Sequence, residues 1–182
     1  MLSMKPFPPG PPAPRILYLE STNDCNARCP ICPRASLTRP LRTMNLKRFR
    51  RLLDEASKNG IPEIRLHNFG EPFLDRHLLT KIRLVKQRGI RCRLFTNGSR
   101  LPLALLETGL DQIFISFDGP PAVKYRRLKG DRLDFAKVRA EILRFLWEKG
   151  RRHLLRPRVR IVGKKERGHR RSGREFYRFW MT

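Results

Sequence analysis

Apolar and polar residues alternate over residues 15–21 (RILYLES), a period of two that predicts a strand with one buried face. The period then changes. Leu46, Phe49, Leu52, Leu53 and Ala56 recur at helical spacing behind Asn45, a suitable N-cap, and Gly60 ends the run. The same exchange of periods repeats along the chain. Further strands are predicted at 62–67, 90–96, 112–117 and 157–162. Between them lie Leu78, Leu79, Ile82 and Val85 at helical spacing, a short helix over 101–108, and a longer helix with Phe135, Val138, Ile142, Phe145 and Leu146 on one face. A last helical start occupies 175–180.

Such alternation defines an α/β chain with a parallel sheet and right-handed helical crossovers. About five βα units are expected, curled as a partial parallel (β/α) barrel or opened as a doubly wound sheet. In both arrangements ligands sit at the carboxyl ends of the strands. The suggestive segments all fall there. Cys25, Cys29 and Cys32 follow the first strand, Gly70-Glu71-Pro72 the second, Thr96-Asn97-Gly98 the third, and Ser116-Phe117-Asp118-Gly119 the fourth.

Three of the four cysteines lie within eight residues, spaced CxxxCxxC. Soft sulfur ligands select zinc, copper(I) or iron–sulfur clusters. A structural zinc site wants four protein ligands, and His67 is the candidate fourth. An iron–sulfur cluster is normally held by four thiolates, so three leave one iron free for a ligand that is not protein. Cys92 lies inside a predicted strand and reads as a small buried apolar residue. Ser116 and Asp118 share one face of their strand, and buried polar groups there need partners or a ligand.

These motifs together resemble the radical SAM enzymes over residues 16–162. The resemblance implies a [4Fe-4S] cluster on Cys25, Cys29 and Cys32, whose free iron takes the amino and carboxylate groups of S-adenosyl-L-methionine. It implies reductive cleavage of that cofactor to a 5′-deoxyadenosyl radical, which abstracts hydrogen from a substrate. By the same resemblance Gly70 and Glu71 face the methionine end. Asn97 lines the rim, Ser116 and Asp118 face the ribose or carboxylate, and Ile31 covers the adenine. One of Arg126, Arg127 and Lys129 would reach the cofactor carboxylate. The substrate would be a small molecule or a peptide, as in peptide or cofactor maturation, and a reductant such as flavodoxin or ferredoxin would supply electrons. The Cys-Pro-Ile-Cys-Pro-Arg run looks most like the SPASM-type branch, although no cysteine follows Cys92. The family core is a (β/α)6 barrel, so the expectation is a shortened core over 15–162, active or an inactive remnant.

Charge and composition adjust this reading. The chain has 41 Lys and Arg against 16 Asp and Glu, a net charge of +25. A solvated arginine-rich surface explains that, as does contact with nucleic acid. The basic residues are spread through every segment except that they gather from Arg151 on, twelve Lys and Arg against two Glu, where no nucleic-acid-binding motif accompanies them. A basic nucleic-acid-binding module with structural zinc is therefore the less favoured alternative. No apolar run approaches a membrane span. Residues 1–14 are proline-rich, lack the order of a secretion signal, and read as a disordered lead-in. A cytoplasmic location follows, where thiols stay reduced.

Overall fold

A computed structural model of the chain describes residues 14–120, 122–164 and 172–181. The proline-rich lead-in up to residue 13 and the arginine-rich residues 165–171 lie outside the described residues. Five strands form one sheet: β1 (Leu17–Tyr18), β2 (Glu63–Arg65), β3 (Arg91–Thr96), β4 (Gln112–Ser116) and β5 (Arg158–Val162). They lie side by side in chain order and every neighbouring pair is parallel. A doubly wound sheet reverses its strand order part-way, and this one does not. Crossovers of one hand then place the helices on one side, as in a partial barrel.

The helices are α1 (Leu46–Lys58), α2 (Leu78–Gln87), α3 (Ala122–Lys129), α4 (Phe135–Arg151) and α5 (Ser172–Met181). Asn45 caps α1, its side chain accepting from the N–H of Arg48 at 2.8 Å. Ile64, Cys92, Leu94, Ile113 and Ile115 are fully buried and join Phe49, Leu53, Ile82, Val85, Ile142 and Phe145 in one core. The strand residues between them, such as Arg65, Arg93, Phe95 and Phe114, occupy the helix-free face and are only partly buried. That two-sided character produces the alternation read from the sequence, because a parallel sheet buried on both faces would be apolar throughout.

Four elements differ from expectation, the least of them β2, which spans Glu63–Arg65 within the predicted 62–67. The first strand shrinks to two residues because the chain beyond it turns to another partner: Met44 N–H donates to the Ser21 carbonyl at 2.9 Å, and Thr22 bridges Thr43. The short helix over 101–108 is a 3-10 turn, Leu103–Glu107. α3 carries no clear apolar periodicity, since in AVKYRRLK only Tyr125 and Lys129 are buried. Tyr125 anchors it, fully buried against Phe117 and Phe135. The predicted terminal helix packs on the same aromatic group, with Phe179 and Trp180 ring centroids 5.8 and 4.9 Å from that of Phe117.

One buried feature braces the loops beyond the strands. Lys81 on α2 and Asp75 are completely buried, with Lys81 Nζ donating to Asp75 Oδ2 at 2.6 Å. The same ammonium donates to the Met44 carbonyl at 2.6 Å and to Ser21 Oγ at 3.2 Å. Asp75 also accepts from Ser21 Oγ and from the His77 N–H. Every donor of the lysine thus has an acceptor. The chain that leads into the cysteine loop is tied at its root to α2.

Candidate cofactor-binding site

The cysteine loop is shaped by short-range hydrogen bonds. Thr22 Oγ1 accepts from the Asp24 N–H at 3.1 Å, and Asp24 Oδ1 from the Cys25 N–H at 2.7 Å. Cys25 Sγ accepts from the Ala27 N–H at 3.4 Å, and the Cys32 N–H donates to the Cys29 carbonyl at 3.1 Å. Polar residues in a turned segment therefore leave the three sulfurs half-exposed rather than packed away.

Neighbouring strand ends clasp this loop. The Glu71 N–H donates to the Asp24 carbonyl at 2.7 Å. Gly70 sits so close to the loop that a Cβ there would lie 2.0 Å from the Thr22 carbonyl oxygen, so no larger residue fits without moving backbone. Asn26 donates to Ser99 Oγ at 2.9 Å and accepts from Asn97 Nδ2 at 2.8 Å, which joins the loop to the Thr-Asn-Gly turn. The Glu71 carboxylate is 2 % exposed and organises the same turn, accepting from Thr96 Oγ1, the Asn97 N–H and the Phe73 N–H. Burial raises its pKa, and these hydrogen bonds oppose the rise.

On the far side, Ser116, Asp118 and Lys129 form one cluster. Lys129 Nζ is 2.8 Å from both Asp118 Oδ2 and Ser116 Oγ. Asp118 adopts φ 58°, and its Oδ1 accepts from the Lys164 N–H at 2.8 Å. A carboxylate able to bond nearby backbone is one of the few side chains suited to that conformation. Of the three basic candidates, Lys129 is buried against this cluster, whereas Arg126 and Arg127 are exposed.

All of these groups line one cavity of about 290 Å³: Cys25, Cys29, Ile31, Cys32, Gly70, Glu71, Asn97, Ser116 and Asp118, the nine positions singled out from the sequence, are on its wall. Lys129, Lys164, His67 and Phe95 line it as well. No motif marked Lys164 or Phe95, and Asn26 had no signal beyond its place between two cysteines. Cys92 is fully buried among core side chains.

The sulfurs are within electrostatic reach of one another, each of Cys25 and Cys32 acting on Cys29. Burial raises the pKa of Cys25 and Cys29; the Ala27 N–H opposes this at Cys25 and the Lys129 ammonium at Cys29. A bound cation would supply what the thiolates otherwise lack. Among the described residues, no three of His, Cys, Asp and Glu converge as they would around a single ion. His67, the fourth ligand considered for zinc, already uses Nδ1 to accept the Phe95 N–H at 3.1 Å. Three soft sulfurs on the wall of one cavity are a donor set that suits an iron–sulfur cluster.

His67 also gives the site a pH signature. Burial first, and then the Arg65 charge, lower its pKa from 6.5 to about 4. The unfolded chain therefore takes up this proton before the folded one. Stability that is complete above pH 6.5 drains as pH falls toward 4, by up to about 3 kcal/mol. Urea unfolding at pH 7, above the window, and at pH 4.5, well inside it, should show a larger loss for the wild type than for His67→Gln. Equal losses in the two chains would exclude His67 as the source.

A one-sided parallel sheet with cysteines, a Gly-Glu turn and a Ser/Asp/Lys cluster on one rim defines a class of fold and site that comparison with known proteins makes specific. The profile of the Radical SAM superfamily matches residues 19–156. The chain belongs to that superfamily, whose enzymes use a [4Fe-4S] cluster and S-adenosylmethionine. A tungsten-containing aldehyde ferredoxin oxidoreductase cofactor-modifying protein from Pyrococcus furiosus is 32% identical over 117 residues, covering 60% of this chain and 32% of its own. A probable GTP 3′,8-cyclase from Pyrococcus abyssi is 34% identical over 117 residues, covering 63% of this chain and 38% of its own. This chain thus spans about a third of the length of these relatives. Among solved structures, SuiB from Streptococcus suis bound to S-adenosylmethionine superposes with a TM-score of 0.73 at 18% identity, over 91% of this chain and 37% of its own. The likeness to SuiB is one of fold. No helix among the described residues is long and apolar enough to cross a membrane.

Proposed function

We propose that this chain is the cluster- and cofactor-binding core of a radical SAM enzyme. Cys25, Cys29 and Cys32 hold the [4Fe-4S] cluster, leaving one iron to S-adenosylmethionine. The observation that carries this reading is that the cysteine loop and three further strand-end segments line a single cavity. When bound, cluster and cofactor would supply a one-electron donor and a cleavable sulfonium, the chemistry needed for hydrogen abstraction from a substrate.

The chain's own residues bind and orient. Gly70 allows backbone to approach the cysteine loop, and Glu71 holds Thr96 and the Asn97 N–H where the methionine end would lie. Lys129, fixed between Ser116 and Asp118, presents a positive charge for a carboxylate, and Ser116 and Asp118 face the ribose side. Ile31 is 44 % exposed on the cavity wall, an apolar cover for an adenine ring. The relatives act on small molecules or cofactors by their names, and SuiB has been seen with its precursor peptide SuiA, so the substrate is proposed as a small molecule or a peptide. An external one-electron reductant such as flavodoxin or ferredoxin, in a cytoplasm that keeps the thiols reduced, completes the proposal.

Anaerobic reconstitution with iron and sulfide, followed by dithionite and S-adenosylmethionine, tests it. The expected result is a brown protein that forms 5′-deoxyadenosine. A colourless protein with one bound zinc would overturn the reading. A brown protein without that product would mark a cluster-binding remnant.

A further inference from the structure

The helix-free face of the sheet carries a cationic row that the cofactor site does not use. Strand register puts Tyr18, Arg65, Arg93, Gln112 and Arg158 side by side across all five strands. One step toward the carboxyl ends, Phe95, Phe114 and Arg160 are likewise in register. Phe95 and Phe114 stack at 4.3 Å, and His67 packs on Phe95 at 4.8 Å. Arg91 lies one step the other way, paired in register with Glu63. Arginines on neighbouring strands repel one another unless an anion lies between them.

Among the described residues, carboxylates are too few for this row. Glu63 alone serves Arg65 at 2.7 Å, Arg93 at 3.3 Å and Arg91 at 3.6 Å. Asp111 is engaged by Lys86 and Arg156, each at 2.5 Å. Arg158 and Arg160 are exposed and have no acidic partner among the described residues. The Nε of Arg93 is buried yet makes no hydrogen bond, its approach to Glu63 notwithstanding. Arg91, Arg93, Gln112, Arg156 and Arg158, with Asp111, surround a cavity of about 330 Å³.

We propose that this face binds the charged end of a small substrate bearing several negative charges, as phosphates or carboxylates. The inference rests on the reading of the rim as the cofactor site and specifies its substrate class. A strand rises about 3.3 Å per residue, so the Arg93 level lies roughly 13 Å below Asn97 at the cavity. The stacked Phe95 and Phe114 lie between the two levels. An anion held by the arginines would therefore direct an uncharged, reacting end over the aromatic rings toward the cluster cavity, where Phe95 and His67 form the wall.

Calorimetric titration of the chain with inorganic triphosphate and with citrate tests this. At least one anion should bind at a single site, the tighter of the two assigning phosphate or carboxylate. Arg158→Glu with Arg160→Glu should weaken that binding by at least about tenfold. Arg50→Glu with Arg51→Glu, an equal change of charge on the exposed side of α1, should leave it within about twofold. Equal weakening by both pairs, or no binding of either anion to the wild type, overturns the proposal. The visible absorbance of the reconstituted protein separates this failure from that of the cofactor reading, since it should persist in both double variants.

Discussion

Replacing any one of Cys25, Cys29 and Cys32 with alanine is expected to abolish the visible thiolate-to-iron absorbance of the reconstituted protein, whereas Cys92→Ala should retain it. The physical reason is coordination number. The proposed cluster, of a kind normally anchored by four thiolates, would have only three here, and removing one would leave two. None of the neighbouring groups is placed to substitute. Glu71 is held by three donors, Asp118 by Lys129 and the Lys164 N–H, and His67 by the Phe95 N–H. Cys92 faces the helices, fully buried, with burial raising its pKa first and Asp111 adding to it, so it has neither the access nor the thiolate character of a ligand. Iron analysis of the four variants checks the expectation. Retention of the full iron content in Cys25→Ala or Cys32→Ala would contradict it.

The second large effect lies beneath the site. Lys81→Met should destabilise the fold by about 3–5 kcal/mol, because it strands the Asp75 carboxylate in an interior with no other cation within ion-pair reach among the described residues. Pairing it with Asp75→Asn should recover much of that loss, since the stranded charge is then gone, the amide oxygen can still accept from the His77 N–H, and the amide NH2 can donate to Ser21 Oγ. Chemical denaturation of the wild type, the two single variants and the double variant closes the cycle. If the double variant were less stable than Lys81→Met by the full cost of Asp75→Asn, the two residues would act independently and the buried pair would not be the source. Because Ser21 and Met44 share the ammonium, the variant should also load less iron.

How much of this was legible beforehand follows from the range of each interaction. The strands and the main helices were readable because their burial is one-sided, and one-sided burial leaves a period in the sequence. β1 is shorter than its apolar pattern because hydrogen bonding to residues 42–44 decides where it ends. α3 leaves no readable period because its helix is secured by one apolar residue, Tyr125, and a single anchor makes no period. Lys81 was invisible for the opposite reason: a lysine on the buried face of α2 breaks the period, and only its partner Asp75, six residues earlier, explains it. The choice among Arg126, Arg127 and Lys129 also waited for geometry, since all three lie on α3 and only one turns inward.

By itself the amino-acid order determined the alternating α/β plan, the spacing of three sulfurs, and the placement of each suggestive segment just past a strand. These are local matters, set by side-chain period and turn chemistry within a few residues. Tertiary structure alone decided how closely those segments, already expected at one rim, pack around a cavity, that Lys129 stands between Ser116 and Asp118, and that arginines from separate strands share a row with Gln112. Such relations depend on strand register and crossover hand, which couple residues tens of positions apart and leave no trace in any short window of the chain.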